Sequence, residues 1–199
     1  MCLVFAIDLH FVTKGLAVGA SFPPDAVPRL AREHGISRVV DVRLEACDDP
    51  VVLREHGILL LHLPTEDRRA ASREMLRTGV AFADQGLDRG ERVLVHCEYG
   101  IGRSALFALC VLVARGDPPL EALYRLKDAR SVISPSPEQL QAFLGFAAQV
   151  HALRRPGWAV PPFEELAAIA WRHLLAGGGL APNLTAAEAA SSRAPRTTE

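Results

Sequence analysis

The sequence predicts an α/β fold: a mostly parallel central sheet of four to five strands flanked by helices, followed by a helical C-terminal half. Two observations carry this. Up to His96, short β-rich runs alternate with helical patterns, the signature of strands joined by crossover helices. The central runs are near-continuous Val, Leu and Ile, as befits strands covered on both faces. After His96 the pattern becomes helix upon helix.

The expected strands are Leu3–Ile7, Leu16–Val18, Arg38–Val42, Ile58–Leu63 and Arg92–His96. Helices are expected at Ala26–His34, Pro50–His56 and Ala71–Leu87 between them. Asp49 followed by Pro50 reads as a cap and first helical position, and Gly35 and Gly57 read as helix stops. Beyond His96, helices are expected at Arg103–Ala114, Pro119–Ala129, Pro137–Leu153 and Pro162–Leu175, with Arg155-Pro156-Gly157 breaking the chain before the last. From Gly177 the composition turns to Gly, Ala, Ser, Thr and Pro, which predicts a disordered tail. The expected organisation is a domain over 1–155, an added C-terminal helix over 156–176 and a tail over 177–199.

With 199 residues, 49% hydrophobic and 23% charged, the chain can bury a substantial core. Its formal net charge of -1 provides no global field for nucleic acid or an anionic membrane, so any anion recognition must be local. No apolar stretch approaches the ~18 residues of a membrane span, and the N-terminus lacks the basic n-region of a signal peptide. Four cysteines (Cys2, Cys47, Cys97, Cys110) show neither paired nor zinc-ligand spacing, and the histidines show no metal-ligand spacing. A reducing cytoplasm and chemistry without a metal or cofactor are the expectation.

One segment stands apart: V-L-V-H-C-E-Y-G-I-G-R-S-A-L, Val93 to Leu106. A hydrophobic strand ends in His96-Cys97, a loop with Gly100 and Gly102 follows, and Arg103-Ser104 opens an apolar helix. The glycines allow backbone N–H groups to turn inward around an anion, and the positive end of the helix points at the same place. Arg103 offers a planar fork for two phosphate oxygens. Cys97, among these donors, is expected to have a lowered thiol pKa. A cysteine alone after a strand reads as core packing; Gly100, Arg103 and Ser104 at these spacings overturn that reading.

His96-Cys97-x-x-Gly100-x-x-Arg103-Ser104 resembles the H-C-x-x-G-x-x-R-[ST] signature of protein tyrosine and dual-specificity phosphatases. The resemblance implies that Cys97 becomes a phosphocysteine and that Arg103 binds the phosphate and its transition state. It also implies that Ser104 assists thiolate release and that His96 orients the loop. The loop Glu98, Tyr99, Gly100, Ile101, Gly102 and Arg103 would cradle the substrate. The family places an aspartate about 30 residues before the cysteine; Asp67, after L-L-L-H-L-P-T-E, lies at that spacing and is the expected general acid, with Glu66 the alternative. Asp67 also reads as a helix cap.

The likeness extends more loosely over Leu16 to Leu144. Asp41 and Arg43, alternating at a strand end, read as a structural ion pair. Cys47 would pair with Cys97 only if the distance allowed. Ser134, Ser136 and Arg130 resemble the segment that supports the phosphate loop in relatives. Cys110 reads as core, and Trp158 and Trp171 as packing for the last helix. The small domain resembles the dual-specificity subgroup, which implies a phosphorylated protein or a small phosphomonoester as substrate. Glu98 would disfavour heavily anionic ones. The competing classes are a phosphate-binding module without turnover and sulfur transfer on a rhodanese-like loop.

Overall fold

The computed structural model describes residues 6–172. Five strands, β1 (Leu9–Phe11), β2 (Leu16–Gly19), β3 (Ile36–Arg43), β4 (Leu59–Thr65) and β5 (Arg92–His96), form one sheet in the order β1-β2-β5-β3-β4. All neighbours are parallel except β1, which pairs antiparallel with β2. The fold class is the expected one.

Side chains alternate across each strand, and that alternation splits the core in two. Val18, Val40 and Val95 face one side, where α3 (Arg73–Asp88), α4 (Arg103–Ala114), α5 (Pro119–Ala129), α6 (Pro137–Arg154) and α7 (Phe163–Ala170) pack. Ala17, Val39 and Leu94 face the other, with Val27 and Leu30 of α1 (Val27–Arg32) and Leu53 of α2 (Pro50–Glu55). Every residue of α4 is buried, which accounts for its being apolar all round.

The first strand differs from expectation. Of Leu3–Ile7, residues 3–5 lie outside the described residues and residues 6 and 7 carry no strand; β1 is Leu9–Phe11 instead. It is a three-residue edge strand, held by a turn in which the Thr13 hydroxyl accepts from the N–H groups of Gly15 and Leu16. Helix α3 starts at Arg73 rather than Ala71 because Ser72 caps it, accepting from Met75 N–H. Asp49 caps α2 as expected. Of the expected last helix, Phe163–Ala170 is helical with Trp171 as its C-cap, and residues 173–175 and the tail lie outside the described residues.

Parallel pairing brings the C-terminal ends of β3, β4 and β5 to one edge, with Asp41 opposite both His62 and His96. The three segments that follow these strands carry Glu45, Asp67 and Cys97. This is the edge at which parallel sheets hold their ligands.

Candidate active site

Cys97 follows β5 and is nearly fully buried, yet it lines a cavity of about 570 Å³ together with Asp67, Tyr99, Ile101, Gly102 and Arg103. The loop around it is held from behind, carbonyl by carbonyl. Ser21 donates its N–H to Glu98 O at 3.1 Å. Arg130 donates Nη2 to Tyr99 O at 2.9 Å and Nε to Gly100 O at 2.8 Å. Ser134 N–H reaches Ile101 O at 3.0 Å, and Leu106 N–H reaches Gly102 O at 3.0 Å. With carbonyls 98–102 all engaged, the peptide N–H groups of residues 98–103 donate to no protein acceptor among the described residues. Loop amides left without a protein acceptor are the groups that an anion-binding turn requires.

Gly100 makes this path possible. Its φ is +64°, and a Cβ there would meet the Gly19 backbone at 2.5 Å. Gly102 is tight for a different reason: a Cβ would lie 2.7 Å from Gln139 Oε1. Gln139 is itself fixed, accepting from Ser136 N–H and donating to Arg69 O.

Arg103 opens α4 and is buried, 2% exposed. Its Nη1 and Nη2 each donate to Glu45 at 2.7 Å, and Nη1 also donates to Thr65 O at 3.0 Å. Those hydrogen bonds hold the Glu45 carboxyl down at about 2 and, reciprocally, raise the Arg103 pKa. Arg103 Nε lies 3.3 Å from Asp67 Oδ1, but outside hydrogen-bond geometry, so this buried donor is unfilled among the described residues. Asp67 is exposed and on the cavity wall; Glu66 is exposed and does not line it. Ser104 Oγ lies 3.4 Å from Cys97 Sγ.

His96 is fully buried below the loop, its ring 4.9 Å from Phe22 and its Nε2 2.8 Å from Asp48 Oδ2. Asp48 also accepts from Arg43 Nη2 at 2.6 Å, and Arg43 forks onto Asp41 at 3.0 and 2.9 Å. Burial pushes the Asp41 pKa up, but the Arg43 hydrogen bonds and the His96 charge outweigh it, so the net shift is downward. Asp41 and Arg43 are therefore the ion pair read from the sequence. The Glu98 carboxylate lies 3.6 Å from Arg43 Nη1 and off the cavity wall, as does Gly100. The Glu98 charge thus joins the ion-pair network of Arg43, while its carbonyl accepts from Ser21 N–H.

Cys47, Cys97 and Cys110 are all free thiols. Cys47 sits beside Asp41 and His62, and burial and the Asp41 charge raise its pKa. Cys110 is in the core. Among the described residues, two groups have metal-like proximity, Asp41-Cys47-His62 and Asp41-Asp48-His96, and they share a carboxylate already engaged by the Arg43 guanidinium. Several residues of this site were not singled out in the sequence. Glu45 and Asp48 stand in an acidic segment after β3, whose composition marks a loop but no partner. Asp8, which accepts from both Nη atoms of Arg130, is 122 positions from it.

Residues 22–149 match the family model described as dual specificity phosphatase, catalytic domain. The chain is 37% identical over 92 residues to the mouse (Mus musculus) dual specificity protein phosphatase 1, covering 45% of this chain and 25% of that protein. The human dual specificity protein phosphatase 4 is 33% identical over 106 residues, 52% of this chain and 27% of that protein. The chain thus spans about a quarter of the length of these relatives. Among solved structures, PTPMT1 in complex with PI(5)P superposes with a TM-score of 0.69 at 25% identity, over 72% of this chain and 97% of that one. Tk-PTP in its active form superposes with a TM-score of 0.66 at 23% identity, over 71% and 97%, a likeness of fold.

Proposed function

Because this chain belongs to the dual specificity phosphatase family, we propose that it hydrolyses phosphate monoesters through a phosphocysteine on Cys97. The observation that supports the reading is a loop whose amides have no protein acceptor among the described residues, joining the buried Cys97 to the buried Arg103 on one cavity wall.

In this mechanism the ester phosphate enters the ring, accepting from the loop N–H groups and from Arg103. The free Nε supplies one guanidinium donor at once, and the Glu45 side of the fork becomes a second when the carboxylate yields to phosphate. Cys97 Sγ attacks phosphorus and the P–O bond to the alcohol breaks, while Asp67, from the wall, protonates the departing oxygen. Asp67 then takes a proton from water as its oxygen attacks phosphorus. The P–S bond breaks, with Ser104 Oγ placed to donate to the sulfur as it leaves. His96 acts from beneath, its ring locked by Asp48, as a positioning residue for the loop.

The alcohol is a phosphorylated protein residue or a small molecule bearing one phosphate. The cations on the cavity wall are Arg68 and Arg103, and Arg103 already faces Glu45 and Asp67, a poor setting for a second phosphate.

Hydrolysis of para-nitrophenyl phosphate tests the reading. Wild type turns it over with release of inorganic phosphate, Cys97→Ser loses turnover yet still binds phosphate, and Arg103→Lys loses both. Equal turnover by Cys97→Ser would sink the phosphocysteine route. Binding of phosphopeptide without any turnover by wild type would favour a recognition module instead.

A further inference from the structure

The cavity above Cys97 does not end with the phosphate loop. Its far wall is Phe163 and Trp171, at the two ends of α7, together with Pro135 and Pro137. The matched family region stops at residue 149, before this helix begins. Both rings are part-exposed toward the cavity they line, and they meet edge to face with centroids 6.2 Å apart. Tyr99, 65% exposed, supplies a third ring from the loop side.

This wall is anchored. Trp171 Nε1 donates to Pro135 O at 2.9 Å, tying the end of α7 to the segment before α6. Beneath it the buried Lys127 of α5 donates Nζ to Ala170 O at 2.7 Å and to Ile133 O, so one cation grips α7 and the loop on which the cavity's Ser134 and Pro135 stand. Helix α7 thereby becomes part of the cavity's frame.

A cavity of about 570 Å³ falls in the range that holds a whole drug-sized molecule, about 300–1,000 Å³. A phosphate and one ring leave much of it unfilled. The remainder is lined by Phe163, Trp171, Tyr99, Pro135 and Pro137, with the polar Arg68, Ser134, Ser136 and Gln139 between them, and the rings reward apolar, preferably aromatic, surface. We infer that α7 builds a second, apolar subsite, and that Phe163 and Trp171 select phosphate monoesters whose alcohol carries an extended aromatic body larger than a single phenyl ring. The inference rests on the phosphatase reading for its catalytic readout, but binding reports on it separately.

The experiment compares 2-naphthyl phosphate with phenyl phosphate, whose leaving groups are of similar basicity, and with glycerol 2-phosphate. Wild type should prefer the naphthyl ester over the phenyl ester in kcat/KM by about tenfold or more, the scale of one added apolar group in a fitting pocket. In Phe163→Ala that preference should fall several-fold, and a folded Phe163→Leu serves if the alanine variant is unstable. In the Cys97→Ser protein, 2-naphthyl phosphate should quench Trp171 fluorescence at lower concentration than phenyl phosphate does, read in a Trp158→Phe background. If wild type hydrolyses both aryl esters equally well, or Phe163→Ala keeps the full preference, the subsite is refuted while the phosphatase reading stands. If no ester is hydrolysed, the phosphatase reading fails, and the quenching order alone decides the subsite.

Discussion

Arg130 is the residue on which the shape of the phosphate loop depends most, and replacing it gives a worked test. Arg130→Met keeps an unbranched apolar stem and removes the guanidinium with its five donors. Two of the lost hydrogen bonds run from a buried guanidinium, 5% exposed, to the carbonyls of Tyr99 and Gly100. Bonds from a charged donor contribute about 1.5–3 kcal/mol each, so the loop loses about 3–6 kcal/mol of restraint. The Asp8 pair is discounted to less than about 1 kcal/mol, because that carboxylate is half exposed. For a chain of this size 1 kcal/mol moves the unfolding midpoint by about 2–4 °C, so thermal unfolding should shift down by roughly 6–24 °C. The larger effect should be on chemistry. Freed carbonyls let their peptide planes turn, and losing even one donor to a developing oxyanion costs about 10²–10³-fold in kcat. Steady-state turnover and vanadate inhibition should therefore both deteriorate, with Arg130→Lys between the two. A destabilised Arg130→Met that keeps wild-type kcat and vanadate affinity would refute the idea that Arg130 orients the loop amides.

Two further outcomes follow from the same geometry. Asp67→Asn should slow hydrolysis of esters with poor leaving groups by ~10²–10⁴-fold and spare activated esters, whereas Glu66→Gln should do neither; the reverse pattern, in a leaving-group series, would move the acid to Glu66. Lys127 is held down to about 8 by burial and by the Arg172 charge, below its ordinary 10.5. Between pH 8 and 10.5 the unfolded chain therefore binds the proton that the native state has released, and stability rises with pH across that window. Measured by denaturant unfolding, wild type should gain on Lys127→Met by up to about 3 kcal/mol between those limits, and a difference independent of pH would remove the buried cation from the account.

What was legible in the sequence is what lies close together along the chain. The loop from His96 to Ser104 is nine consecutive residues, and the strand and helix on either side have unmixed patterns. Fold class followed from the alternation of short β-rich runs with helices. Asp67 was reachable because the strand before it is a clean hydrophobic run. What was not legible is long-range. Glu45 meets Arg103 across 58 positions, and Asp48 meets His96 across 48. No local pattern encodes such pairs, since a carboxylate in an acidic loop reads as solvated until the strands align. Strand β1 was missed because three residues with one exposed side chain carry little hydrophobic signal, and β1 exists through its ladder with β2.

The stitch made by Lys127 bears on where this protein can be cut. A fragment ending with α6 would keep Cys97, Arg103 and Asp67, and would look whole by its motif. It would also strip Ala170 from the ammonium and the indole from Pro135, leaving a trough where the intact chain has a chamber. If both proposals hold, reactivity and selectivity are written in separate stretches of the polypeptide, and one can drift while the other stays fixed.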